Sequence, residues 1–196
     1  FFHQSVAVAA LLFLALGDSA AALVGKRTPG PRVFGKSPGG TIAFIAASWA
    51  AVGVLVAAGA VARATQLAGL GRAVMDATVD YTANREQFGQ AVGSFQAVQH
   101  HLAEMAIATK QVNHLVHSAA WSFSQDGYSV ERAAQAKIAA SEKISALCWT
   151  AHQCHGAIGF TWEHDLHLYT RRALAWKTDY GDSPFHKSKL ATSLGL

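Results

Sequence analysis

The sequence predicts an all-α protein built around a four-helix up-down bundle, and three observations carry that expectation. From Val61 to the C-terminus the chain has a single proline, Pro184, and no run of strand-like alternation. Apolar residues recur there at three- and four-residue steps, the spacing of a helix with one buried face. Glycines cluster at a few places, Gly89 and Gly93, Gly127, Gly156 and Gly159, and Gly181, where they punctuate long helical stretches.

The first stretch runs over about 62–84, with Leu67, Leu70, Val74, Ala77 and Tyr81 as its stripe. Gly89 to Gly93 breaks the chain, and Ser94 is placed to cap a second helix reaching about Phe123. Val98, Leu102, Met105, Thr109, Val112 and Val116 line that helix. Asp126-Gly127 is a turn, and Ser129 caps a third helix to about 154, with Ala133, Ala136, Ala140, Ile144, Leu147 and Ala151 inside. A last helical region covers about 163–179, followed by a short tail helix after Pro184. Short turns make successive helices antiparallel neighbours, and so many alanines allow close approach within the bundle or against a partner chain.

Ahead of the bundle the composition changes. Residues 1–56 hold four basic groups and one acid, whereas residues 57–196 hold twelve basic and eleven acidic. Phe1–Gly17 and Ser37–Ala62 carry no charge. Thr41–Ala62 is long enough to cross ~30 Å of hydrocarbon as a helix. The expected organisation is therefore an apolar helical segment with a basic loop over 1–60 and a helical bundle over 61–196. Membrane contact through residues 1–62 is expected on the first reading, a pair of buried Ala-rich core helices on the second. The expected compartment is cytoplasmic, with membrane association through the N-terminal segment.

Composition narrows the function. The net charge of +4 comes without a Lys/Arg run, so a nucleic-acid partner is not expected. Two cysteines exclude a disulfide scaffold. Cys148 and Cys154 have no common zinc spacing, and Cys148 with His152 supplies two ligands, so no metal centre is expected. His114/His117 and His164/His167 are read as surface or interface pairs. Gly30–Ser37 matches the P-loop pattern, but Pro38-Gly39-Gly40 is a poor helix start and no strand precedes it.

Two sets of motifs carry resemblances. Leu16-Gly17-Asp18 through Gly25-Lys26-Arg27, with Gly35-Lys36-Ser37 and Gly40, resembles CTP-dependent polyprenol kinases and phosphatidate cytidylyltransferases over residues 11–45. That resemblance implies a metal-holding Asp18 and a phosphate-meeting Lys36. The second set is Arg85-Glu86-Gln87-Phe88-Gly89, then Phe95-Gln96-Ala97-Val98, then Gln153-Cys154-His155-Gly156-Ala157-Ile158-Gly159-Phe160, then Arg171-Arg172. In that order and spacing they resemble the C-terminal helical domain of the acyl-CoA dehydrogenases, over about residues 64–196.

The second resemblance implies FAD-dependent α,β-dehydrogenation of an acyl-CoA thioester, homo- or hetero-oligomerisation, and electron transfer to an electron-transfer flavoprotein. Arg85, Phe88 and Gln96, with Gln153, His155, Gly156 and Ala157, are the implied cofactor-binding residues. A guanidinium is a bidentate phosphate partner, and small residues let main-chain N–H groups approach an anion. On the bare residues, Gly156 and Gly159 also read as a helix end and a turn. The family's catalytic glutamate is not found. Tyr180 stands at its position in Thr178–Asp182, and Asp179 or Asp182 replaces it only with a backbone shift. Around Gly59 and Ala60, the other place for the base, there is no acid either. The chain is therefore expected to be a fragment or subunit lacking the N-terminal and middle domains. The alternatives are a non-catalytic association domain and a remnant of a CTP-dependent membrane lipid enzyme.

Overall fold

A computed structural model describes residues 15–16, 18–24, 38–125 and 129–196, and the chain divides into two compact units, Phe1–Val56 and Ala57–Leu196. The loop residues Lys36 and Gly30–Ser37, and Asp126–Gly127, lie outside the described residues.

Helices are named in chain order. In the first unit, α1 (residues 18–24) is a short, mostly exposed helix, with Asp18 exposed on it. The next helix, α2 (Pro38–Asn84), is 47 residues long. Its residues up to Val56 present Ile42, Ile45, Trp49 and Val54 to the outside. By length and composition Gly40–Asn84 is long and apolar enough to cross a membrane. From Ala57 onward, however, this helix is bundle core, with Ala60, Ala64, Leu67 and Val74 fully enclosed. The apolar window that meets this test is only 11% buried, so the core packing belongs to the later turns of the helix.

The second unit is the bundle. It contains the C-terminal part of α2, α3 (Gln96–Gln125), α4 (Val130–His155), α5 (Leu166–Trp176) and α6 (Ser183–Ser193). The all-α expectation holds, with one small addition. Glu86–Gln87 and Gln90–Ala91 form an antiparallel hairpin between α2 and α3. Its two-residue turn is Phe88-Gly89, both at positive φ (56° and 79°), which is the geometry that suits the twist of a tight hairpin.

α4 is the central helix. It packs against α3, α5 and α6, and its buried face is nearly continuous from Ala133 to Ala151. α2 meets it at Gly71, where a side chain would run into Ile144 Cδ1 at 2.5 Å. Ser129 caps α4 as its sequence position predicts, accepting from Arg132 N–H at 3.2 Å. Asp182 caps α6 in the same way, accepting from Phe185 N–H at 3.0 Å.

Two local expectations are corrected. Ser94 does not cap α3. It lies in a 3-10 turn (Val92–Ser94), its hydroxyl donating to Ala91 O at 2.7 Å, and Phe95 is extended before the helix begins. The stripe on α2 continues from Val74 to Thr78 and Thr82, not to Ala77 and Tyr81. The two threonines bury their hydroxyls by donating back to Val74 O (2.7 Å) and Thr78 O (2.9 Å). That local bond made two polar side chains admissible in the core, and it turned Ala77 and Tyr81 toward a surface cavity.

Candidate nucleotide-binding edge

The cavity on that face of the bundle has a volume of about 430 Å³ and is lined by Ala77, Asp80, Tyr81, Asn84, Arg85 and His164. Arg85 follows the last turn of α2, its N–H donating to Tyr81 O at 2.9 Å. Among the described residues no hydrogen bond or ion pair engages its guanidinium. A cation held on a helix end with its fork unspent fits an anion such as a phosphate. Asp80 is the acid on this wall, and its Oδ1 accepts from the Asn84 amide at 3.0 Å.

The second motif arrives from α4. Its last residue, His155, is buried, and its ring lies flat on Tyr81, with centroids 4.3 Å apart and planes 18° apart. The Tyr81 hydroxyl donates to His155 O at 3.3 Å. His164 meets both rings edge-on, 4.7 Å from His155 and 6.1 Å from Tyr81. Through this cluster the Arg85 end of α2 and the turn after α4 are joined at one place, although 70 residues separate Arg85 from His155.

Each implied cofactor residue can now be placed. Phe88 stands at the hairpin tip, 94% exposed, edge-on to Phe95 at 6.2 Å. Gln96 is exposed at the first turn of α3, and Gln153 and Ala157 are exposed on α4 and in the turn beyond it. Gly156 sits at φ 67°, and its N–H is spent on His152 O, closing α4. It contributes open space and a change of direction, and the free amides must come from the residues after it. The His155 ring is committed to packing. Its Nδ1 bonds Ala151 O at 2.8 Å, and its Nε2 is buried with no partner. Burial holds its pKa below the ordinary imidazole value, against the raising effect of the Ala151 carbonyl. Burial likewise holds the pKa of His152 below the ordinary imidazole value, with Nε2 on Thr170 Oγ1 at 2.8 Å and its ring stacked on Phe160.

Sequence reasoning read His164 with His167 as a surface or interface pair and missed this cluster, in which His164 packs on His155 and Tyr81. The available signal was a buried-face position: His152 and His155 follow Cys148 and Ala151 on the inner side of α4.

The place expected for a base is equally informative. Tyr180, at φ 58°, lays its ring over Gly59, where any side chain would overlap it. The two positions considered for the base are thus neighbours, and neither is acidic. Asp179 is held by Arg63 at 2.8 Å and Asp182 by its capping role. Neither carboxylate is free to replace the glutamate. Beneath this segment Lys137 is fully buried, donating to Lys177 O at 2.7 Å and Ser141 Oγ at 3.0 Å. Burial pushes its ammonium down to about 8, with Asp179 opposing that shift and Arg63 adding to it.

Comparison with known proteins decides the lineage. Residues 49–194 match the family described as "Acyl-CoA dehydrogenase, C-terminal domain". The chain belongs to the acyl-CoA dehydrogenase family. It is 40% identical over 99 residues to acyl-CoA dehydrogenase IpdE2 of Mycolicibacterium smegmatis, covering 50% of this chain and 30% of the relative. It is 33% identical over 136 residues to the probable acyl-CoA dehydrogenase YngJ of Bacillus subtilis, covering 69% and 36%. Butyryl-CoA dehydrogenase from Megasphaera elsdenii superposes with a TM-score of 0.68 at 26% identity, over 72% of this chain and 37% of that one. The chain therefore spans about a third of the relatives it matches, and what it aligns with is their C-terminal helical domain. The acyl-CoA dehydrogenase match starts within the apolar part of α2 and leaves residues 11–45 outside it.

Proposed function

We propose that this chain is the C-terminal module of an FAD-dependent acyl-CoA dehydrogenase that carries out α,β-dehydrogenation of an acyl-CoA thioester. FAD, when bound, accepts the hydride leaving the β-carbon. The observation that supports the reading most is the meeting of the Arg85 end of α2 with the Gln153–Ala157 stretch through Tyr81 and His155.

In this reading Arg85 holds a phosphate of the dinucleotide, Phe88 and Gln96 border the same edge, and Gln153, Gly156 and Ala157 approach it from the other side. His155 contributes its backbone and its packing, since its ring is already occupied. The α-proton goes to a carboxylate from outside this module, because Asp179 and Asp182 are engaged and Tyr180 fills the position. The N-terminal and middle domains, the acyl-CoA site and the acceptor, an electron-transfer flavoprotein by family analogy, belong to the assembled protein. Oligomerisation then completes the site. We place residues 1–56 against a membrane in the cytoplasm, on the exposed Ile42, Ile45, Trp49 and Val54, with flotation on liposomes as the test.

The test is flavin retention by the assembled protein. Arg85→Ala weakens FAD binding by about 10- to 100-fold, the worth of a charge-assisted hydrogen bond, and Arg85→Lys restores part of it. Wild-type protein that takes up no flavin, or an Arg85→Ala variant that binds it as tightly, refutes the reading.

A further inference from the structure

Tyr81 lies one helical turn before Arg85, and His155 lies immediately before Gly156 and Ala157. The flat Tyr81–His155 stack and the Tyr81 hydroxyl on His155 O are the contacts that join these two ends. Neither ring carries the free charge or exposed amide that an anion would need. Their geometry is that of a fastener: one aromatic face for area and one directional bond for register.

The fastener has a protonation state built in. The Nδ1 of His155 faces a carbonyl, which only accepts, so that nitrogen carries the hydrogen and Nε2 is a bare, buried lone pair. A proton at Nε2 would be a buried donor without an acceptor. The groups facing this ring are Tyr81 from α2, His152 from α4 and His164 from the segment before α5, and Arg85 and Asp80 line the adjoining cavity. Asp80 is the single carboxylate among them. A proton on His155 would add a buried positive charge, and among the described residues no acceptor faces its Nε2.

We propose that Tyr81 is a positioning residue that clasps the turn after α4 to the Arg85 end of α2, and that the clasp opens when His155 takes a proton. The ligand part of this proposal rests on the dehydrogenase reading. The clasp itself is a property of the chain and is tested separately.

The experiment uses the assembled protein with Tyr81→Phe and Tyr81→Leu. It follows FAD affinity as a function of pH and backbone amide exchange in residues 156–161 against residues 140–147. In the wild type, affinity falls as the pH drops below about 6.5, the ordinary imidazole value. Tyr81→Phe keeps the stack and loses only the hydroxyl bond, so affinity drops about 2- to 10-fold with the same pH profile. Tyr81→Leu loses both, flattens the pH profile, and speeds exchange in 156–161 while 140–147 stays protected. Unchanged exchange in 156–161 for both variants overturns the clasp, and so does a wild-type pH profile retained by Tyr81→Leu. If Tyr81→Leu fails to fold, Tyr81→Phe carries the test. If the wild type binds no FAD, the dehydrogenase reading fails and the exchange measurement alone judges the clasp.

Discussion

Gly59 and Tyr180 should be strongly coupled, with a change of sign. Gly59 is inside α2, where alanine is worth about 1 kcal/mol more than glycine in helix propensity. Its missing side chain is what makes room for the Tyr180 ring: a methyl there lies 2.8 Å from Tyr180 Cγ and closer still to the ring edge. Forcing that overlap costs about 1–3 kcal/mol. Gly59→Ala is therefore expected to change stability by about 0 to −2 kcal/mol in the wild-type background. With Tyr180→Ala the overlap vanishes and only the propensity gain remains, so the same substitution stabilises by about 1 kcal/mol. The coupling is roughly 1–3 kcal/mol, well above the ~0.5 kcal/mol scatter of independent sites. Urea unfolding of the four proteins measures it, read as midpoint shifts at constant slope. Additive effects, with Gly59→Ala equally harmful or equally helpful in both backgrounds, would show that Tyr180 does not sit on Gly59. The placement of the missing base would then be wrong.

Three further outcomes follow from the same geometry. Lys137 has a folded pKa of about 8 against an ordinary 10.5, so the folded protein holds fewer protons than the unfolded chain between those values. Its contribution makes stability rise across that window, by up to ~3 kcal/mol, and Lys137→Met removes the rise in denaturation series at graded pH. His152 and His155 are also lowered by burial, so their contribution is fully present above the ordinary imidazole value and is lost as the pH falls below about 6.5; replacing both with glutamine flattens the acid limb of a thermal-melt series. Ser129→Ala strips the α4 cap and costs about 1 kcal/mol, seen as a lower denaturation midpoint.

Much of the bundle is legible in the sequence because its helices obey spacing rules that do not depend on partners. The α4 face, Ala133 to Ala151, and the α3 stripe from Met105 to Val116 are buried as their periodicity requires. The Ser129 cap is legible because serine two residues past Gly127 has one good use. Ser94 misleads because its hydroxyl found a nearer acceptor, Ala91 O, in the tight turn after the hairpin. Thr78 and Thr82 mislead because back-bonding hides polarity that a hydropathy reading counts as exposed. The sequence reads as two segments, Thr41–Ala62 and about 62–84, because the composition changes between them, whereas α2 runs through that change as one helix.

At the candidate site the motifs themselves are legible, and their residues' roles are less so. Arg85 lies on the cavity wall just past the end of α2, and no ion pair among the described residues engages it. Gly156 and His155 turned out to be engaged, one in ending α4 and the other in packing, and only three-dimensional contact reveals that. No local pattern announces Tyr81, because its partner is 74 residues away.

The central claim is that the end of α2 and the turn after α4 grip one dinucleotide. A crystal structure of the assembled protein with FAD tests it most directly. The expected result places the Arg85 guanidinium and the main chain around Ala157 in contact with phosphates of the same FAD molecule. Finding either one facing solvent, or the two on different molecules, would contradict it.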